Sequence, residues 1–293
     1  MTHASPDTAA AHAHSHSHSH SHSHDEPGGD GAFLELGSEL LAEHTAAVTG
    51  WLPVLAEPRL IVDLGCGTGA GTFALLRQFP SAEVLALDAS VDHLDRLQRK
   101  AEADGTADRV RPVRVDLDAD WPDLGRPDLV WASASMHHLT DPDRTLGKVH
   151  DLLAPDGIFA VVEFGDFPRL LPPEAPEDRP GLEERCFSAL AAHHEEELPD
   201  LGADWGARLT AAGFAIAGER TLAVTVDGSA SPTVGRYALA SFRRVRESVA
   251  EALDPADLAA LDRLLDADGP GGLLRRDDLA FRTERTVWAA RRS

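Results

Sequence analysis

Seven consecutive residues, Asp63-Leu64-Gly65-Cys66-Gly67-Thr68-Gly69, set three glycines and a carboxylate where an apolar run ends and a helical pattern begins. Glycines at this spacing permit a tight turn and close approach of the backbone to a ligand, and the helix that follows offers free N–H groups to a ligand's polar end. Asp88, followed by Ala89, stands 21 residues past Gly67 at the end of the next apolar run. A carboxylate there accepts hydrogen bonds from ribose hydroxyls. A dinucleotide loop carries apolar residues before its first glycine, whereas here Asp63 precedes Gly65 by two. That carboxylate repels a pyrophosphate and suits a cationic group. The pattern points to a nucleoside ligand with a positive end and away from NAD(P).

A second polar cluster, Ser133-Ala134-Ser135-Met136-His137-His138-Leu139-Thr140-Asp141-Pro142, carries two adjacent imidazoles. A neutral imidazole at pH 7 can take a proton from a substrate, so His137, and less readily His138, is a candidate base; both could instead merely line the loop. Glu163 ends a strongly apolar run, where open α/β sheets place ligand contacts; it could touch substrate or satisfy loop amides. Cys66 reads as a small packing residue within the loop. His193, His194 and Glu195 to Glu197 resemble a metal cluster, but adjacent histidines project about 100° apart on a helix, and a solvated helix end is the plainer reading.

The elements that must position these groups alternate. Strands are expected at 60–64, 83–87, 110–115, 128–132 and 158–164, and helices at 71–79, 91–103 and 143–153, preceded by a helix over 33–48. Such alternation argues for a parallel sheet covered on both faces. After Gly165 come a Pro-rich connection, helices at 182–197 and 204–212, a strand at 214–226, helices at 237–253 and 257–265, and a last strand at 283–290.

The stretch Val62 to Gly69 resembles the first motif of class I S-adenosylmethionine (SAM)-dependent methyltransferases. The likeness is good over about residues 33–164 and rests on layout beyond. It implies a Rossmann-like, doubly wound α/β fold: a seven-stranded, mostly parallel sheet with a C-terminal antiparallel strand. It also implies SAM as cofactor. Asp63 would lie near the methionine ammonium, Gly65, Cys66, Gly67 and Gly69 would wrap the methionine moiety, and Asp88 with Ala89 would meet the ribose. Asp116 and Leu117 match the family position beside the adenine amino group. Ser133 opens a segment whose His137-His138-Leu139 resembles the stretch beside the reactive methyl in the small-molecule branch. Asp156 stands where a glycine is commoner in the turn before strand five. The implied activity is methyl transfer to a small-molecule acceptor.

Composition bounds the partners. With 49 Asp+Glu against 27 Lys+Arg the formal net charge is −22, which disfavours phosphate backbones and anionic membranes, so neither nucleic acid nor membrane is an expected partner. Two cysteines build no disulfide framework and the polar N-terminus has no secretory pattern, so a cytoplasmic protein is expected. Residues 1–30 form a low-complexity leader in which His12, His14, His16, His18, His20, His22 and His24 alternate with Ala or Ser. That leader is expected to be disordered, with at most weak, exchangeable metal binding. Residues 31–293 form the enzyme domain: a core at 55–165, a substrate lid at 166–203, and C-terminal strands with a helical insertion at 204–293. Two other readings remain: a SAM-binding protein that transfers no methyl, and a metal-handling protein working through its leader. Neither the acceptor nor an oligomeric state is legible.

Overall fold

A computed structural model describes the backbone of residues 29–194 and 200–293, with side chains given outside 192–199. The His-rich leader and the 193–197 cluster lie outside the described side chains.

Seven strands form one sheet, ordered β3-β2-β1-β4-β5-β7-β6. β1 (Leu60–Leu64), β2 (Glu83–Asp88), β3 (Val110–Arg114), β4 (Leu129–Ser133) and β5 (Ile158–Glu163) run parallel. β7 (Ala280–Arg292) is antiparallel to β5 and pairs again with β6 (Phe214–Asp227). All six residues of β5 are buried, as expected of a strand covered on both faces, while the edge strand β6 alternates. The sheet and its antiparallel strand agree with the expectation from sequence.

Helices begin where short polar side chains cap them. Ser90 accepts from the His93 amide to start α4 (Val91–Ala103), and Asp141, followed by Pro142, starts α5 (Pro142–Leu152) through the Arg144 amide. The same Ser/Asp-Pro device opens α8 (Pro232–Ser248) at Ser231 and α9 (Pro255–Leu265) at Asp254. The sequence-based start of α8 at Tyr237 is therefore five residues late, because apolar spacing was followed and the Ser231-Pro232 signal was not. The single helix expected over 33–48 is two, α1 (Asp30–Leu40) and α2 (Ala42–Trp51), broken at Leu41, whose φ of −98° and ψ of 5° leave the helical range. α3 (Ala70–Gln78) follows the glycine loop, and α6 (Leu182–His194) and α7 (Trp205–Ala211) precede β6.

Apolar side chains pack as three bodies, one on each face of the sheet and one among helices. The third joins Leu40 and Leu41, Leu170 and Leu171, Phe187 of α6, Phe242 of α8, Leu261 of α9 and Phe281 of β7. The N-terminal helix, the Pro-rich connection and the insertion between β6 and β7 thus share one small core beside the sheet. Asp257 fastens the connection to the insertion, its carboxylate taking hydrogen bonds from Arg179 and Arg185.

Trp205 and Phe187 are both core residues, at 1% and 4% exposure. Trp205→Ala is expected to destabilise the protein by about 3–5 kcal/mol, read as a lower denaturant midpoint. The Trp205 Nε1 has no hydrogen-bond partner among the described residues. Trp205→Phe removes volume but no bond, and should cost less than about 1.5 kcal/mol. Equal losses in the two variants would contradict a packing role.

Candidate functional site

Between β1 and α3 the chain turns through three left-handed glycines, Gly65, Gly67 and Gly69, with φ of 66°, 53° and 94°. At Gly65 the requirement is also spatial: a Cβ there would stand 2.6 Å from the Cβ of Ser135. Ser135 closes this contact by donating its hydroxyl to the Leu64 carbonyl at 2.8 Å. The loop after β4 is thereby bonded directly to the loop after β1.

Asp88 holds the other side. Its Oδ2 accepts from the Gly67 amide at 2.8 Å, and its Oδ1 accepts from the Ser90 amide at 2.9 Å and lies 3.2 Å from His93 Nδ1. Burial alone would raise this carboxyl, but hydrogen bonds from His93, Ser90 and Gly67 outweigh it and hold Asp88 below its ordinary value. His93 is raised in return, chiefly by that hydrogen bond. Oδ2 carries one bond and keeps a lone pair that can accept another. Ala89, next to it, is exposed.

Asp63 is 2% exposed and faces no basic side chain within ion-pairing distance among the described residues. Burial pushes its carboxyl up to about 7, against a hydrogen bond from the Thr72 hydroxyl at 2.6 Å and with a further push from the charge of Asp88. Ligand-free protein thus keeps a proton there that the unfolded chain has lost above about pH 4. This group's contribution to stability is full below about pH 4 and falls as pH rises towards 7. A cation bound beside Asp63 would favour the ionised form. SAM binding near pH 6.5 is accordingly expected to release more than about half a proton, measured by calorimetry in buffers of different ionisation enthalpy. Asp63→Asn should abolish that release, and an unchanged release would dissociate Asp63 from the ligand.

Thr68, inside the loop, has a buried hydroxyl without a partner among the described residues. The Cys66 thiol is buried, and burial together with the charges of Asp63 and Asp88 pushes it well up, so it is no nucleophile. Asp116 is exposed, and its Oδ1 accepts from the Asp118 amide at 2.9 Å in a turn; Leu117 beside it is buried. Ser133, the last residue of β4, pairs with Val162.

The β4 loop is built around Glu163. Its Oε1 accepts from the amides of Ser135 at 3.2 Å and Met136 at 2.9 Å, and its Oε2 lies 2.6 Å from His137 Nδ1. Glu163 and His137 are each 3% exposed. Glu163 therefore satisfies loop amides, one of the two roles the sequence offered, and also orients an imidazole, which the sequence did not show. His137 packs edge-on to Phe164 and against His138, with centroids 5.0 and 4.2 Å apart. His138 is exposed. Ala134, just before, takes φ of 53°, a left-handed backbone rare for a residue with a Cβ. Asp118 steadies the far end by accepting from the amides of Thr140 and Asp141. Sequence reading missed Asp118, Thr68, Thr72 and Ser135, although each lies in or beside a recognised motif.

Helix α1 lies over this site. Leu34 Cδ1 comes within 3.3 Å of where a Cβ on Gly67 would be, and Glu35 pairs with Arg96 and Lys100 of α4. Among the described residues no group of three His, Cys, Asp or Glu side chains is arranged to hold a metal ion, and no helix is long and apolar enough to cross a membrane.

The residues present fit SAM: left-handed glycines that a Cβ would block, an orphaned threonine hydroxyl, a ribose-type carboxylate and a buried, cation-free Asp63. Strand order, antiparallel β7 and a glycine loop after β1 define the class as the Rossmann-like fold of class I SAM-dependent methyltransferases. Residues 62–159 match the family described as a methyltransferase domain.

Trans-aconitate 2-methyltransferase of Methylobacterium radiotolerans is 39% identical over 111 residues, covering 36% of this chain and 38% of that one. Malonyl-[acyl-carrier protein] O-methyltransferase of Halorhodospira halophila is 35% identical over 117 residues, covering 39% and 37%. The chain thus spans well under half the length of these two curated relatives. A putative methyltransferase from Bacillus halodurans superposes with a TM-score of 0.53 at 15% identity, covering 85% of this chain and 98% of that one. The [4+2]-cyclase SpnF gives 0.50 at 20% identity, covering 85% and 80%. Both likenesses concern the fold.

Proposed function

We propose that this protein transfers the methyl group of SAM to a small-molecule acceptor, with His137 as the proton-accepting base. The observation that carries the reading is the joined cradle of Gly65, Gly67, Asp88 and Asp63, bonded through Ser135 to the loop that holds His137. The names of the curated relatives support a small-molecule acceptor. When bound, SAM supplies an electrophilic methyl on a cationic sulfur, which leaves as a neutral thioether.

The chain's own work is then positional. Asp88 and the glycine loop fix the nucleoside, Asp63 balances the cationic end, and α1 limits water. Asp116, Leu117 and Ser133 border the adenine side in this reading. Glu163, as hydrogen-bond acceptor, assigns the His137 proton to Nδ1 and leaves the Nε2 lone pair to receive the acceptor's proton. The new bond takes its electron pair from the acceptor heteroatom that has lost this proton. The three segments outside the sheet that share a core, α1, the connection with α6, and the insertion, close over the acceptor.

Calorimetric titration of the full chain with SAM, followed by transfer of labelled methyl from SAM into a metabolite extract, tests the reading. Saturable binding and a labelled small molecule are expected. No binding overturns the cofactor assignment. Binding without label in any small molecule instead favours a SAM-binding protein of another activity.

A further inference from the structure

Beyond Phe164, four polar groups gather without hydrogen-bond partners among the described residues. Arg285 of β7 lays its guanidinium over the Phe164 ring, 5.1 Å from the centroid, and Phe164 also touches His137. Arg285 makes no hydrogen bond or ion pair among the described residues, and its Nε is shut off from solvent. Thr283, two positions away on the same face of β7, has a buried Oγ1 with no partner among the described residues. His44 of α2 has a buried Nε2 with no partner among the described residues, and its imidazole is pushed down to about 4 by burial and by the charge of Arg285, so it is neutral at pH 7. Tyr237 of α8 is 8% exposed, and its hydroxyl makes no hydrogen bond among the described residues. Its ring meets Phe281, the next residue on the Thr283 and Arg285 face, at 5.1 Å.

Buried polar atoms in folded proteins are nearly all satisfied, so three buried orphans in one place, with the Tyr237 hydroxyl beside them, mark the position of an absent bonding partner. A guanidinium only donates, while two hydroxyls and a neutral imidazole can each donate. The complement is an anionic group rich in acceptor oxygens. Glu163 does not fill this need, since its two oxygens already serve His137 and two amides. Burial pushes the Arg285 guanidinium down against the opposing charges of Tyr237 and Glu163, neither of which pairs with it among the described residues, and a bound anion offsets that cost. One cation, in a chain of net charge −22, matches a single negative charge better than a phosphate dianion.

We propose that Arg285, aided by Tyr237, Thr283 and His44, anchors a carboxylate of the methyl acceptor, which is therefore a small molecule carrying a monoanionic carboxylate. The proposal rests on the methyltransferase reading and names the chemical class of its acceptor. Arg285 acts as a specificity residue that fixes one end of the acceptor beside the His137 loop.

The test uses the full chain saturated with S-adenosylhomocysteine, titrated with saturated C4 to C10 monocarboxylates, their hydroxy and amino derivatives, the matching primary amides and matching phosphate monoesters. At least one carboxylate is expected to bind about tenfold or more tighter than its amide. Arg285→Gln should erase that preference, and Arg285→Lys, which keeps the charge and loses the planar fork, should keep part of it. SAM affinity should stay within about twofold in both variants, which also reports that they are folded. The proposal is overturned if no carboxylate is preferred to its amide, if the preference survives Arg285→Gln, if a phosphate monoester binds tighter, or if Arg285→Gln weakens SAM about tenfold. A wild type that fails to bind SAM defeats the underlying methyltransferase reading instead.

Discussion

Asp88→Ala is expected to weaken SAM binding by at least about 100-fold, since the substitution removes a charged acceptor whose hydrogen bonds contribute about 1.5–3 kcal/mol each. Two losses combine. The ribose loses its acceptor, and the Gly67 amide, the Ser90 amide and His93 lose theirs, so the glycine loop and the start of α4 are both released. Asp88→Asn separates them, because an amide oxygen can still accept from Gly67. The asparagine variant should fold nearly as well as the wild type yet bind SAM at least about tenfold more weakly. Titration calorimetry measures both. Normal affinity in Asp88→Ala would remove the nucleoside from this site altogether.

His137→Ala is expected to lower kcat by about 100-fold, the range in which a positioned base contributes, with SAM affinity unchanged within about threefold. The loss should shrink as pH rises, because the acceptor then ionises without help. An unchanged pH profile would assign His137 a lining role only. Glu163 separates orientation from architecture. Glu163→Gln keeps an oxygen for the Ser135 and Met136 amides but loses the charge that orders the imidazole, so kcat should fall while the fold survives. Glu163→Ala strands two buried amides as well, and a loss of about 3–5 kcal/mol in unfolding free energy is expected.

Much of the scaffold was written locally. Continuous apolar runs in β1 and β5, and caps such as Ser90 and Asp141, are read within a few residues, and α4 coincides with its expected bounds. The glycine loop and Asp88 were legible because their spacing is set by one strand, one turn and one helix. The anchor candidates were not. Arg285, Thr283, His44 and Tyr237 come from three elements, and nothing local shows that they face one another. Only an alternation in β7, with Phe281, Thr283, Arg285 and Val287 on one face, hinted at polar groups among apolar ones. The break at Leu41 was equally hidden, since the apolar spacing runs on through it.

The place of β7 has a consequence for how the molecule is assembled. It is the last of the seven strands in chain order, yet it sits inside the sheet, between β5 and β6. While residues 164–279 emerge during synthesis, β5 must wait with one edge of its backbone unpaired, and β6 has no sheet to join. The nucleoside half, β1 to β5, can form from contacts close in the chain, whereas the half that carries Arg285 depends on pairings such as Asp30 with Arg244, 214 positions apart. A nascent chain therefore completes its cofactor cradle before its acceptor side, and β5 is the edge that a chaperone, or a second copy of the chain, meets in that interval.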